Sequence, residues 1–198
     1  MMITKQPTVI KVITPLLLVT IALVWLATLS VAEVKKPTRG IVEKKAPALG
    51  VDVWFNLPKA KKGIDVSDYK GKVVYLYAFQ SWCPGCHKYG FPTLTHLIKH
   101  YGANDQVAFI AVQTVFEGFT TNTAAKAKAT GEKYKLTIPI GHNGSKHKRS
   151  TIMHRYRTGG TPWTIIIDRK GIVRYNDFHI KPQDGVKLID TLLKRNHK

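Results

Sequence analysis

The sequence predicts an α/β domain, a central sheet flanked by helices. Runs rich in β-branched and aromatic residues recur at 72–79, 106–114 and 161–167, the composition of strands buried inside a sheet. Between and after them, apolar residues fall at three- and four-residue steps, as on helices that turn one face to a core. Strands alternating with helices argue for a sheet with right-handed crossovers.

The elements follow in order. Lys5 and Lys11 precede an apolar stretch at 12–29, and Ser30-Val31-Ala32 gives a small-x-small site before Glu33. Residues 1–32 are therefore expected to be a signal peptide or a membrane anchor, with the protein in the periplasm or cell envelope. Lys35, Lys36, Arg39, Lys44 and Lys45 follow the apolar run and pull the other way, so a cytoplasmic orientation stays open. Residues 33–50, basic and broken by Pro and Gly, are expected to be a flexible linker. The domain proper is expected at 51–198.

Within it, 51–55 reads as a first strand, Ser67-Asp68 as a turn, and 72–79 as the central strand. A helix from Pro84 to about Tyr101 has Phe91, Leu94, Leu97, Ile98 and Tyr101 facing inward. A second strand at 106–114 leads to an Ala- and Lys-rich helix at 120–134. Residues 139–142 suit a short strand or loop, and 149–156 one or two helical turns. The strand at 161–167 turns at Asp168-Arg169-Lys170-Gly171 into a partner at 172–175. A helix at 182–193 closes the chain, with Val186, Ile189, Leu192 and Leu193 inward.

The chain of 198 residues carries 31 Lys and Arg against 12 Asp and Glu, a net charge of +19. Such a surface favours acidic proteins or an anionic lipid surface as partners; no nucleic-acid partner is expected. His142, His147 and His154 lie among Lys146, Lys148, Arg149, Arg155 and Arg157. That stretch reads as a basic surface loop, or as one that brings positive potential toward the cysteines.

The only 2 cysteines of the chain stand in Trp82-Cys83-Pro84-Gly85-Cys86, between the central strand and the following helix. Pro84 suits a first helical turn, where its missing N–H costs nothing. The unpaired amides and dipole of that turn stabilise a Cys83 thiolate. Cys86, one turn in, can then resolve a mixed disulfide. Zinc needs four ligands and no second CxxC exists. His96 and His100, four apart, lack a third ligand at sensible spacing. No metal and no cofactor is expected.

Three landmarks carry a resemblance: Tyr69-Lys70-Gly71-Lys72-Val73-Val74, Phe79-Gln80-Ser81-Trp82-Cys83-Pro84-Gly85-Cys86, and Gly160-Thr161-Pro162-Trp163 running on to Asp168. With the element order, they resemble the thioredoxin-like three-layer fold with its central mixed sheet. More closely, they resemble the TlpA-like membrane-tethered thiol–disulfide oxidoreductases of the redoxin superfamily. The resemblance implies a cis peptide at Pro162 beside the Cys83–Cys86 redox pair, with Trp82, Thr161 and Pro162 facing the substrate. Trp163 suits either the groove or the core.

It also implies protein thiols and disulfides as partners, a membrane-bound or soluble electron donor, and reduction rather than oxidation of clients. Two departures stand out. Thioredoxins bury an Asp six residues before the first cysteine, where this chain has Tyr77. TlpA-like reductases of the cytochrome-maturation type often carry a Glu three residues after the second, where this chain has Tyr89. His87 and Glu117 are the candidates to replace them as proton acceptor for Cys86. The alternative readings are a peroxiredoxin-like thiol peroxidase, against which Gln80 stands three residues before Cys83, and a non-catalytic metal- or haem-delivery module.

Overall fold

Six strands form one mixed sheet in the order β1-β4-β3-β2-β5-β6. They are β1 (Val53–Phe55), β2 (Val73–Phe79), β3 (Val107–Thr114), β4 (Ile140–Asn143), β5 (Trp163–Ile167) and β6 (Val173–Asp177). The computed structural model describes residues 39–195. The expected export segment at 1–32 and the start of the expected linker lie outside the described residues. β2, β3 and β4 run parallel, while β5 pairs antiparallel with β2, β6 with β5 and β1 with β4. A 3₁₀ turn (Val66–Tyr69) precedes β2. The helices are α1 (Phe91–Tyr101), α2 (Ala124–Lys133), α3 (Thr151–Tyr156) and α4 (Pro182–Lys194).

Period-two alternation sorts the sheet's side chains into two cores. Val73, Tyr75, Tyr77 and Phe79 of β2 pack with Phe91, Leu94 and Leu97 of α1 and Ile189 and Leu192 of α4. Val74, Leu76 and Ala78 pack on the other face with Ile152 and Tyr156 of α3, Leu49 and Ile64. All seven residues of β2 are buried, so its apolar run is continuous because both faces are covered. The helix expected at 120–134 begins only at Ala124, where the Thr123 hydroxyl accepts the Lys126 amide at 3.3 Å. Trp163, with 0 % exposure, belongs to the core and not to a groove. Its indole donates to Asn176 Oδ1 at 2.6 Å.

The flexible linker is corrected in its described part. Residues 39–50 form a strap against the β5–β6 hairpin and α3. The Glu43 amide donates to Val173 O at 2.9 Å, the Val173 amide to Lys44 O at 2.9 Å, and the Ala46 amide to Gly171 O at 2.8 Å. The Tyr156 hydroxyl donates to Pro47 O at 2.6 Å and Arg155 Nη1 to Ala48 O at 2.7 Å. Prolines and glycines conceal any periodicity, yet Ile41, Ala46 and Leu49 supply apolar contacts to one core. The lysines face out, and backbone groups find partners without regular structure.

Leu49 is 0 % exposed, so Leu49→Ala is expected to lower unfolding free energy in urea by about 2–5 kcal/mol. A tether outside the domain would show no change.

Candidate functional site

β2 delivers the chain at Phe79 into a tight turn that ends at Cys83. The helix then starts at Pro84, and the Cys83 carbonyl accepts the Cys86 amide at 3.1 Å and the His87 amide at 3.3 Å. Cys83 thus occupies the N-cap. Its sulfur does what a Ser or Asp oxygen does elsewhere: the Cys86 amide donates to Cys83 Sγ at 3.2 Å. Both thiols are free; Cys83 is 7 % exposed and Cys86 0 %.

The two sulfurs sit in opposite electrostatic environments. Hydrogen bonding from the Cys86 thiol, then from Thr161 and the Cys86 and Gly85 amides, lowers the Cys83 pKa to about 6 against the cost of burial. Burial first, and then the neighbouring Cys83 sulfur, push the Cys86 thiol far up. No basic side chain is among the causes acting on Cys83. Of the two readings of the basic stretch, the surface loop fits: Arg155 is engaged with the strap, Lys148 pairs with Asp52, and His142 lies against Gln113 at 2.9 Å.

The Thr161–Pro162 peptide is cis. As a thiol, Cys83 donates to Thr161 O at 3.6 Å. A Cβ on Gly85 would stand 3.3 Å from Pro162 Cδ, so glycine there lets the proline ring close over the motif. Trp82 is 47 % exposed beside Cys83, its indole donating to Gln80 Oε1 at 2.9 Å. The structure thus brings Trp82, Thr161 and Pro162 together around Cys83.

The two candidate proton acceptors fare differently. Glu117 stands in an exposed loop after β3. His87 is half-buried and fully engaged: Nε2 lies 2.7 Å from Ser81 O and Nδ1 2.7 Å from the Tyr134 hydroxyl. A carbonyl only accepts, so Nε2 carries the proton and Nδ1 accepts from Tyr134. Neither nitrogen has Cys86 among its hydrogen-bond partners. His87 instead ties the active-site turn to the end of α2. Tyr89 is 47 % exposed and tilted against His179 at 5.7 Å.

Residues that sequence reasoning missed build the floor of the turn. Gln80, Gln113 and Asn122 are buried. Asn122 Nδ2 donates to Gln80 Oε1 at 2.5 Å, and Gln113 Oε1 accepts the Ser81 amide at 3.2 Å as well as the Ser81 hydroxyl. Gln113 Nε2 donates to Thr123 O at 2.9 Å. Two glutamines ending apolar strand runs were the available signal, since most buried amide atoms have partners; here Gln80 Nε2 and Asn122 Oδ1 are the buried atoms of the cluster without one. Between Cys86 and Gly90 the helix widens into one π-turn, in which the Phe91 amide reaches back to Cys86 O.

Five exposed aromatics, Trp82, Tyr89, Phe116, Phe119 and Phe178, lie on the helix start and on the loops after β2, β3 and β6, at the end of the sheet that carries Cys83. The residues lining the clefts of 360 and 540 Å³ do not include the motif.

The family model for Redoxin matches residues 41–193. The chain belongs to the Redoxin family. Among curated proteins it is similar to the thioredoxin-like protein YneN of Bacillus subtilis (strain 168), 30% identical over 117 residues, which span 58% of this chain and 60% of that protein. It is 27% identical over 139 residues to the thiol-disulfide oxidoreductase ResA of Geobacillus kaustophilus (strain HTA426), covering 69% of this chain and 73% of that one. Among solved structures, a thioredoxin-like superfamily protein, SPOA0173, superimposes with a TM-score of 0.69 at 32% identity, over 78% of this chain and 99% of that chain. A thiol-disulfide isomerase from Corynebacterium glutamicum gives 0.65 at 29% identity, over 76% and 98%. The thioredoxin-like fold and the TlpA-like resemblance are thereby borne out, and the strap from residue 41 onward falls within the Redoxin match.

A depressed thiol titrates from unreactive acid to reactive thiolate as pH rises. Alkylation of Cys83 by iodoacetamide is therefore expected to climb with a midpoint near pH 6 and level off above it, with Cys86 unmodified across that range. A midpoint near the ordinary thiol value would contradict the N-cap assignment.

Proposed function

We propose that this protein is a thiol–disulfide oxidoreductase that reduces disulfides of polypeptide clients in the cell envelope, with Cys83 as nucleophile and Cys86 as resolving thiol. One observation carries the reading. The sulfur of Cys83 caps the helix that contains Cys86 at 3.2 Å from its amide, so the same turn that ionises the first thiol holds the second within a ring's reach. Membership of the Redoxin family and likeness to proteins named as thiol–disulfide oxidoreductase and isomerase support it.

Each step balances. The Cys83 thiolate attacks one sulfur of the client disulfide; a Cys83–client bond forms, the client S–S bond breaks, and one client thiolate leaves. Cys86 gives its proton to solvent, and its thiolate attacks Cys83 Sγ. The Cys83–Cys86 ring closes as the second client thiolate departs with the electron pair. The client gains two electrons and the couple loses two, so a membrane-bound or soluble donor of lower potential must return them. Stabilising the Cys83 thiolate stabilises the dithiol and raises the couple's potential, so the clients it reduces are disulfides of higher potential still.

The cis Pro162 turn leaves the Thr161 backbone beside Cys83, where an extended client segment can pair with it. The aromatic rim suits apolar stretches of that segment, and the net charge of +19 favours acidic ones. The lysines and the apolar stretch of residues 1–32 support export.

Cys86→Ala is expected to accumulate a mixed disulfide through Cys83 with a disulfide-bonded client such as oxidised insulin, and Cys83→Ala to abolish reduction. A Cys86→Ala protein that forms no such adduct would overturn the reading.

A further inference from the structure

Tyr77 stands in the middle of β2 with 0 % exposure, directly beneath the cysteine helix. Its hydroxyl lies 3.4 Å from the Cys86 carbonyl and donates to it. That carbonyl already has a partner in the Phe91 amide, so the phenol can turn away without leaving the acceptor unpaired. The ring is fixed by an edge contact with Phe91 at 5.2 Å and by Phe79 at 6.0 Å.

The helix above is shaped to admit this hydroxyl. A Cβ at Gly90 would lie 2.0 Å from the Tyr77 oxygen and 2.5 Å from Cζ, so only glycine fits there. Gly90 closes the π-turn that begins at Cys86, and such single-turn insertions concentrate at functional sites. Two features that look unrelated in sequence, a tyrosine six residues before Cys83 and a glycine four after Cys86, are one packed unit against the resolving cysteine.

From this geometry we infer that Tyr77 is a positioning residue for resolution, its O–H turning from the Cys86 carbonyl to the Cys86 sulfur when that sulfur ionises. The inference rests on the thiol–disulfide reading above. Cys86 needs such help because its thiolate forms in a buried place, where an unpaired charge is costly. Tyr77 is no base: burial first, then coupling to Cys86, holds its phenol well above the ordinary range. It stays protonated and acts only as a donor. The proton of Cys86 goes to solvent, Tyr77 keeps its own, and on this inference its hydroxyl joins the Gln80 amide, which already favours the Cys86 thiolate.

The test uses the full reduced chain and an aromatic disulfide reagent that liberates one coloured thiolate at each exchange. The first release reports attack by Cys83, the second reports ring closure by Cys86. Tyr77→Phe is expected to leave the first release within about twofold and to slow the second about tenfold, as for loss of a hydrogen bond to a charged group. The pH midpoint of the second release should rise by about one unit, the equivalent of that tenfold change.

Tyr77→fluorotyrosine, a stronger donor of nearly the same size, should move rate and midpoint the opposite way and serves where Tyr77→Phe is poorly folded. Unchanged second-release kinetics and pH profile in both variants would overturn the inference while the first release still supported the proposed function. Absence of the first release in the unmodified protein would instead overturn the proposed function itself.

Discussion

The amide of Cys86 pointing at Cys83 Sγ, 3.2 Å away, is the contact on which the site depends. It settles three properties together. It caps the helix, so helix formation and sulfur placement are one event. After the Cys86 thiol, which contributes most, it helps hold negative charge on Cys83 together with Thr161 and the Gly85 amide. It also fixes the separation of the two cysteines, because donor and acceptor belong to them. The contrast between an easily ionised Cys83 and a strongly resistant Cys86 follows: one sulfur lies at the helix tip, the other one turn inside an apolar core.

The rest of the domain keeps that turn in place. β2, covered on both faces, brings the chain rigidly to Gln80. Buried amides of Gln80, Gln113 and Asn122 then bind the turn to β3 and to the loop before α2. His87 links Ser81 O to the Tyr134 hydroxyl beyond α2. From the opposite side, Pro162 closes on Gly85, and its neighbour Thr161 presents a carbonyl to Cys83. Polar partners that elsewhere would make a base for Cys86 are here spent on positioning. Cys86 is left with the Gln80 amide and Thr161 as hydrogen-bond donors favouring its thiolate.

Most of the fold was legible because its signals are local. Continuous apolar runs marked β2, β3 and β5, and three- and four-residue steps marked α1 and α4. The Trp82–Cys86 motif marked the junction, and Thr161-Pro162 the facing turn. What escaped detection depends on long-range partners. The strap at 39–50 has no period, since its order comes from hydrogen bonds to β6 more than a hundred residues away. The basic stretch at 146–157 left two readings open in sequence, and only the contacts of Arg155 with Ala48 and Lys148 with Asp52 separate them. His87 stood as a candidate proton acceptor, and its partners Ser81 O and Tyr134 lie too far along the chain for sequence to show. The fit of Tyr77 into Gly90 was invisible, because a strand residue and a helix glycine share no sequence pattern.

The most direct measurement is equilibration of the full chain in thiol–disulfide buffers of graded potential, counting free thiols by mass. The account predicts that Cys83 and Cys86 oxidise together as one two-electron couple, with the ring form rising over about 30 mV per tenfold change in ratio. Thiols that oxidise separately, or are capped singly by the buffer without closing the ring, would contradict it.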